Sequence, residues 1–498
     1  MKILLVSPPI FDFYSSPHRT EPLGLLYIKK ALEIKGHTVE IYDATASGKV
    51  KKLKTPDEFK YLEKYYCEDT APFSLFSGYK RFGDSFNKIC SYCHKNSFDI
   101  IGLSSLFSAY YPDVEELASQ IRKVTKATVV IGGTAVNSLK EHHILESNAD
   151  YFLSGCGTVS MPLFADTISG KTQLSQVPGL IYKNDGKIIR NSFSQSPPWF
   201  GDIIPDRSNL RIFRNRVTAQ IIFSTGCRNN CTFCSIHKEN SFSQRTLAHI
   251  TEELQYLKNS GVQLVDIEDD DLFSDREHAI EIINVLKDFH KSGMKFTAMN
   301  GITAKNIVNI GHLLPEAGFI KLDLSLVCAS ETAASNIGRP HYLDDIEKIN
   351  RSAGEKCEVE VFLIPGLPGT TLNETLSTIV HLNRLNIKCG LSPLYLVPGV
   401  TMFEKTGIPE NLRLCRGSAL YPFSDTERDN VASLLKISRF LNYFSTSKND
   451  PLFDENLKYF KKSIKRNQWF RKSKDGMWRD SFQFSLDCSS VLEETLSL

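Results

Sequence analysis

The chain has 498 residues, 41% of them apolar, with 59 Lys+Arg against 57 Asp+Glu and a net charge of +2. That apolar fraction can bury several cores, which excludes a disordered chain, and near-neutrality leaves no global field to select nucleic acid or an anionic membrane. There is no run of roughly 18 apolar residues to span a membrane, and 12 cysteines are too sparse for a disulfide scaffold.

The run Lys2-Val6, ended by Pro8-Pro9, reads as a first strand and not as a signal peptide, so the expected compartment is the cytoplasm, with reduced thiols. Through residue 170, β-rich runs at Lys2-Val6, Val39-Tyr42, Ile100-Leu103, Thr128-Ile131 and Tyr151-Leu153 alternate with helical stretches. One of these, Leu25-Leu32, puts apolar 25, 28 and 32 on one face and stops at Gly36. The alternation predicts an α/β fold with a doubly wound, Rossmann-like parallel sheet, which binds ligands past the carboxyl ends of its strands. Those ends read Ser104-Ser105-Leu106, Gly132-Gly133-Thr134 and Ser154-Gly155-Cys156-Gly157; Gly132-Gly133 reads equally well as a tight turn.

Residues 50–97 read as a Lys- and Tyr-rich insertion. Its Cys90-x2-Cys93 pair has the spacing of metal ligands, but with no two further ligands nearby it reads, with Cys67, as ordinary thiols. Residues 171–216 read as a linker with a hairpin around Asn184-Asp185-Gly186, broken by Pro197-Pro198 and Pro205. From 217 to 402 the alternation resumes, with strands at Ala219-Phe223, Gln263-Ile267, Phe296-Met299, Lys321-Leu326, Glu358-Ile364 and Leu394-Leu396. Six βα units predict a partial barrel of the TIM type, with chemistry on the loops after the strands. Residues 403–498 read as helical, with Val431, Leu434, Leu435, Ile437 and Leu441 on one face. Within them, Lys458-Arg479 mixes basic and aromatic residues, which suits a solvated face with aromatic staples or, alternatively, contact with a membrane surface or an anionic substrate.

The chemistry lies in the loop after the first barrel strand, Ser224-Thr225-Gly226-Cys227-Arg228-Asn229-Asn230-Cys231-Thr232-Phe233-Cys234. Three thiolates spaced C-x3-C-x2-C can hold three irons of a cubane and leave the fourth open to a ligand. The alternative is a structural zinc completed by His237. The second strand ends in Glu268-Asp269-Asp270-Asp271, which bare physics also allows as a solvated acidic loop, followed by a helix N-cap at Asp275. Asn300-Gly301-Ile302 closes the third strand, Ser325 lies near the end of the fourth, and Gly366-Leu367-Pro368-Gly369 follows the fifth.

The cysteine spacing, with Phe233 before the last cysteine, resembles the radical S-adenosylmethionine (SAM) superfamily. The resemblance implies that Cys227, Cys231 and Cys234 ligate a [4Fe-4S] cluster whose open iron chelates SAM. It also implies that electron transfer, from a donor such as flavodoxin or ferredoxin, cleaves SAM to a 5′-deoxyadenosyl radical. By the same resemblance Phe233, Glu268, Asp269, Asn300, Ser325, Gly366 and Pro368 are SAM contacts.

Pro8-Pro9, Pro22-Leu23-Gly24, Ser104-x-Leu106, Gly132-Gly133 and, in the tail, Arg416-Gly417-Ser418-Ala419 resemble the subclass with a cobalamin-binding (B12) domain. This implies a cobalamin contacted by Ser104, Leu106, Gly132, Gly133, Thr134 and Gly155, and methylation of an unactivated carbon or phosphorus in a small-molecule or lipid-like substrate. The chain departs from the pattern in four places. It lacks Asp-x-His-x-x-Gly, whose histidine ligates cobalt from below. It has Gly155-Cys156-Gly157-Thr158 for Gly-Glu-Gly-Glu, Thr370-Thr371 where Glu-Thr often follows the glycine, and Val327-Cys328-Ala329-Ser330 for Glu-Ser-Gly. Two other readings stay open: cobalamin-independent radical cyclisation, rearrangement or C–C coupling, and a non-catalytic iron–sulfur binding protein.

Overall fold

Continuous aliphatic runs, buried on both faces as parallel strands require, build the first sheet. In the computed structural model, which describes residues 1–14, 21–192, 203–207, 210–213, 215–236, 242–328, 330–339, 342–404 and 407–496, five parallel strands form at Lys2–Ser7, Thr38–Asp43, Ile100–Ser104, Thr128–Gly132 and Tyr151–Leu153. Numbered along the chain, they lie in the order 2-1-3-4-5. The order reverses between the first and third strands, and the loops that leave those two edges begin at Pro8 and Ser105.

Two sequence boundaries move. The hairpin Leu180–Asn184 and Lys187–Arg190 is not linker: it extends the sheet antiparallel, pairing Leu153 with Leu180 and Phe152 with Ile181, because burying those side chains outweighs leaving the hairpin free. The insertion also ends earlier than residue 97. Helix Phe86–Asn96 is the crossover between the second and third strands and buries Phe86, Ile89, Cys90 and Cys93. Burial pushes the Cys93 thiol up to about 12, as expected of an inert core thiol.

The six barrel strands are Arg216–Ile221, Leu264–Ile267, Lys295–Thr297, Lys321–Val327, Glu358–Leu363 and Lys388–Leu391. Each group of three is parallel, and bridges Phe296–Phe319 and Ile302–Leu324 join the two groups in chain order. The sixth strand lies upstream of the expected Leu394-Leu396. Pro393 has no N–H for a ladder, and the Leu396 N–H donates to the Cys415 carbonyl instead. Along the fourth strand Leu322, Leu324 and Leu326 face the helices, whereas Lys321, Asp323 and Ser325 alternate onto the lumen side. Lys321 pairs there with Asp323 at 2.7 Å and with Glu360 of the fifth strand. This barrel is therefore lined by polar and charged groups rather than packed with aliphatic layers.

Beyond the barrel, helices Asp425–Thr446 and Phe453–Arg466 are followed by a hairpin, Gln468–Lys472 and Trp478–Gln483, in a region expected to be helical throughout. Asp475-Gly476 in its turn is the signal that gives it away. Phe460, Trp469 and Phe470 are buried, and Lys462 lies over the Tyr459 and Phe470 rings, so the basic-aromatic segment is mostly internal packing. Among the described residues no helix is long and apolar enough to cross a membrane.

Candidate functional site

The cysteine loop leaves the first barrel strand through a short ladder, Ser224–Thr225 against Ser243–Gln244, and turns at Gly226, whose φ of +71° only glycine adopts cheaply. Its conformation is fixed from the neighbouring strand. The Asp269 carboxylate accepts from the Phe223 N–H at 2.7 Å and from the Ser224 hydroxyl at 2.5 Å. Asp270 accepts from the Gly226 N–H at 3.2 Å. Asp271 accepts from the Arg228 N–H at 3.2 Å and from the Asn229 and Asn306 amides at 3.4 and 3.0 Å. On the far side the Thr232 N–H donates to the Ile337 carbonyl at 2.9 Å.

This corrects one expectation. Asp269, expected to face SAM, is 2% exposed with both carboxylate oxygens turned onto the loop, and burial pushes its pKa up to about 7. The acidic run is a cradle for the cysteine loop, because buried loop N–H groups need acceptors and carboxylates at the next strand end supply them.

Cys231 is buried and Cys227 and Cys234 are half-buried; none of the three is in a disulfide. Asn229 donates to the Cys227 sulfur from both its backbone and its side chain, each at 3.4 Å, and the buried Arg339 donates to the Cys231 sulfur at 3.7 Å. Burial and the Asp271 charge push the Cys227 thiol up to about 11, so a metal binding there displaces a proton. Among the described residues no three His, Cys, Asp or Glu side chains are grouped to hold one metal ion. A cubane instead takes one thiolate at each of separate irons. Three thiols on one anchored loop, two of them already receiving N–H donors, suit that group. His237, the fourth ligand of the zinc alternative, lies outside the described residues.

Inside the barrel mouth, the Gln220 amide donates to the Glu268 carboxylate, and the Asn300 amide donates to the Glu268 carbonyl at 2.9 Å. A Cβ at Gly301 would stand 3.6 Å from Cβ of Ser325. Glu268, Asn300 and Ser325 are thus brought together at the ends of the second, third and fourth strands. Two residues below Glu268, on the same face, Asp266 accepts from the Thr297 hydroxyl at 2.8 Å and the Met299 N–H at 3.1 Å; burial and the neighbouring Glu268 push its pKa up to about 7.

Gly366 serves a different approach from the one expected. At φ +87°, its missing Cβ leaves room for the Phe423 ring, which would lie 2.2 Å from such an atom. Pro368 is exposed beside it, and Phe233 packs, half-buried, against the apolar core that the first sheet shares with Cys328, Ala333, Ile337 and Leu367 after the barrel strands.

In the first domain, the Ser105 N–H donates to the Gly132 carbonyl at 2.7 Å and the Thr134 hydroxyl donates to the Leu106 carbonyl. Gly133, at φ +107°, passes so close that a Cβ would lie 2.4 Å from the Ser105 oxygen. These contacts bring Ser104, Leu106, Gly132, Gly133 and Thr134 together. Gly132 also pairs in register with Leu153, which leads to Gly155 on the next loop. Leu106 is 50% exposed at this edge.

The two sets of loops meet. A cavity of about 310 Å³ is lined by Asn137, Ser154 and Arg190 from the first domain, by Ser235 beside the last cysteine of the loop, and by Gly399 after the sixth strand. Sequence reasoning missed a second junction. Asp12, fully buried, accepts from the Tyr110 and Ser418 hydroxyls at 2.7 and 2.5 Å and faces Arg416 at 3.6 Å; Tyr14 and Tyr395 share a hydrogen bond of 2.5 Å close by. Arg339 was missed as well, since no local motif marks it.

Comparison with known proteins bears on the family and the fold. Residues 221–382 match the Radical SAM superfamily. The chain is 24% identical over 58% of its length to a cytidylyl-2-hydroxyethylphosphonate methyltransferase of Streptomyces wedmorensis, and the match spans only 58% of that protein. It is 26% identical to an uncharacterised methyltransferase of Pyrococcus horikoshii, covering 78% of this chain and 79% of that one. The structure of TsrM from Kitasatospora setae, a radical S-adenosylmethionine methyltransferase with cobalamin and [4Fe-4S] cluster bound, superposes with a TM-score of 0.64 over 84% of this chain and 80% of that one, at 17% identity. At that identity the likeness speaks for the fold.

Proposed function

We propose that this chain, whose residues 221–382 match the Radical SAM superfamily and whose fold is similar to that of a cobalamin-bound radical SAM methyltransferase, methylates an unactivated carbon or phosphorus centre of a small-molecule or lipid-like substrate. The observation that carries this reading is the cavity lined by Asn137 and Ser154, from the loops after the fourth and fifth strands of the first sheet, and by Ser235, next to Cys234. Methylating an inert centre requires both a methyl carrier and a hydrogen-abstracting radical to reach one substrate atom, and a common cavity supplies that proximity.

In this reading Cys227, Cys231 and Cys234 hold the [4Fe-4S] cluster, with Glu268, Asn300 and Ser325 at the barrel mouth toward SAM, flanked by Phe233, Gly366 and Pro368. Ser104, Leu106, Gly132, Gly133, Thr134 and Gly155 cradle cobalamin at the edge of the first sheet. When bound, the cluster supplies the electron that cleaves SAM, and cobalamin supplies the methyl carrier. The chain's own work is positional. Asp269, Asp270 and Asp271 fix the cysteine loop, Gln220 and Asn300 orient Glu268, and Gly133 lets two strand-end loops close to contact distance. A low-potential donor of the flavodoxin or ferredoxin kind delivers the electron.

The test is anaerobic reconstitution of the full chain with iron, sulfide and hydroxocobalamin. About four irons, as a three-cysteine cubane motif implies, with stoichiometric cobalt and reductive SAM cleavage are expected, and Cys231→Ala should lose both iron and cleavage. Four irons without cobalt would replace methylation with cobalamin-independent radical chemistry. Iron without SAM cleavage would leave an iron–sulfur binding protein.

A further inference from the structure

Arg339 follows helix Glu331–Asn336, which comes after the fourth barrel strand, and is 7% exposed. One of its terminal nitrogens donates to the Ser325 carbonyl at 3.0 Å and lies 3.5 Å from the Thr303 hydroxyl. The other donates to the Cys231 sulfur at 3.7 Å, within reach of an N–H···S hydrogen bond. Its Nε is buried and has no acceptor among the described residues. Three other buried arginines are built differently. Arg416 faces Asp12 and Asp113, Arg207 and Arg245 both face Glu253, and each of these cations has a carboxylate. Arg339 has instead a carbonyl, a hydroxyl, a thiol and, 5.9 Å away, the Tyr342 ring. A guanidinium held in low dielectric needs negative charge nearby, and among the described residues the Cys231 sulfur, once a thiolate, is the group in contact with Arg339 that can supply it.

We infer that Arg339 is the positioning residue that sets the reduction potential of the cluster, by holding a fixed positive charge and an N–H···S hydrogen bond against the sulfur of Cys231. The inference rests on the cluster assignment above but not on cobalamin or methyl transfer. The step concerned is one-electron reduction of the cluster by a flavodoxin- or ferredoxin-class donor. No bond forms or breaks, and Arg339 keeps its proton throughout. Because reduction adds negative charge to a thiolate-ligated cluster, a neighbouring cation stabilises the reduced form more than the oxidised one, and N–H donors to the sulfurs act in the same direction. Two ligand sulfurs receive donors of unlike charge, the Asn229 amide groups at Cys227 and the guanidinium at Cys231. Removing Arg339 therefore takes away a charge as well as a hydrogen bond.

The experiment is a redox titration, followed by electron paramagnetic resonance, of the reconstituted full chain without SAM, comparing wild type, Arg339→Gln and Arg339→Lys at equal iron content. For Arg339→Gln the equilibrium constant for reduction should fall about tenfold or more, a shift of ~59 mV or more to lower potential for one electron. Arg339→Lys, which keeps the charge and loses the planar fork, should fall between. A cluster retained in full at an unchanged potential in both variants overturns the inference. So does an unchanged potential with weakened SAM binding, which would assign Arg339 to the ligand. If neither variant assembles a cluster, Arg339 is an assembly residue and the inference about potential fails. A wild-type chain that takes up no iron would instead sink the cluster assignment itself.

Discussion

Asp266 and Glu268 show how alternation along a strand creates chemistry at the level of single residues. Two residues apart on a β-strand means one face, so the two carboxyls meet in the barrel mouth, and burial plus like charge holds Asp266 protonated up to about 7. A carboxyl whose folded pKa lies above its unfolded value of about 4 binds its proton more tightly when folded. Its contribution to stability is therefore complete below about pH 4 and is lost as pH rises through about 7. Asp266→Asn should flatten that part of the pH profile, measured as unfolding free energy in urea at about pH 5 and about pH 8. Equal slopes in wild type and variant would show that Asp266 does not titrate with folding. At this scale the three cysteines were legible because their spacing is a local pattern. Arg339 and Asp12 were not, because their partners are contributed by residues distant in sequence.

A strand end is legible from its glycines, but what those glycines face is not. Gly133 and Gly366 both stand in turns after strands, as the sequence suggested, yet one is pressed against a neighbouring loop and the other against the Phe423 ring. The acidic run after the second strand is another case. Its composition suggested binding of a cationic ligand group, whereas three of its four carboxylates accept hydrogen bonds from the preceding loop. The reason is geometric: adjacent parallel strands end side by side, so the loop leaving one finds its acceptors on the next. Asp271→Asn keeps the shape but turns an amide donor toward the Arg228 N–H or the Asn229 amide. Leaving one partly buried donor unpaired costs about 1 kcal/mol. The expected result is less iron per chain than wild type under identical reconstitution. Full iron uptake would mean that the loop holds its shape without this cradle. The alternation of strands and helices gave both α/β units, and failed where a proline displaced the sixth strand and where a hairpin was taken for linker.

Across the whole molecule, the segment Arg416-Gly417-Ser418-Ala419 is the point where tail, insertion and first domain are tied. Arg416 lies between Asp12 and Asp113 and donates to the Ala109 carbonyl. A Cβ at Gly417 would lie 2.6 Å from the Pro393 oxygen, and Ser418 and Ala419 accept from the Tyr66 and Tyr61 hydroxyls. Arg416→Ala should lower the unfolding free energy by about 3–5 kcal/mol, because the Asp12 carboxyl is left buried and without its cation. Urea titration checks this, and a loss below about 1 kcal/mol, the size of an exposed pair, would show the junction to be solvated. Farther along, Thr70 donates its N–H to the Lys472 carbonyl, and Lys436 pairs with Asp69 inside a wall formed by Phe73 and Trp469. Those contacts close a loop of about 400 residues, a long-range closure of the kind that slows folding and cannot form until the distal segment has been synthesised. The first domain, although encoded at the start of the chain, thus completes the packing of its insertion only after the final hairpin has emerged. Removing the hairpin Gln468–Gln483 therefore strips contacts from that early insertion.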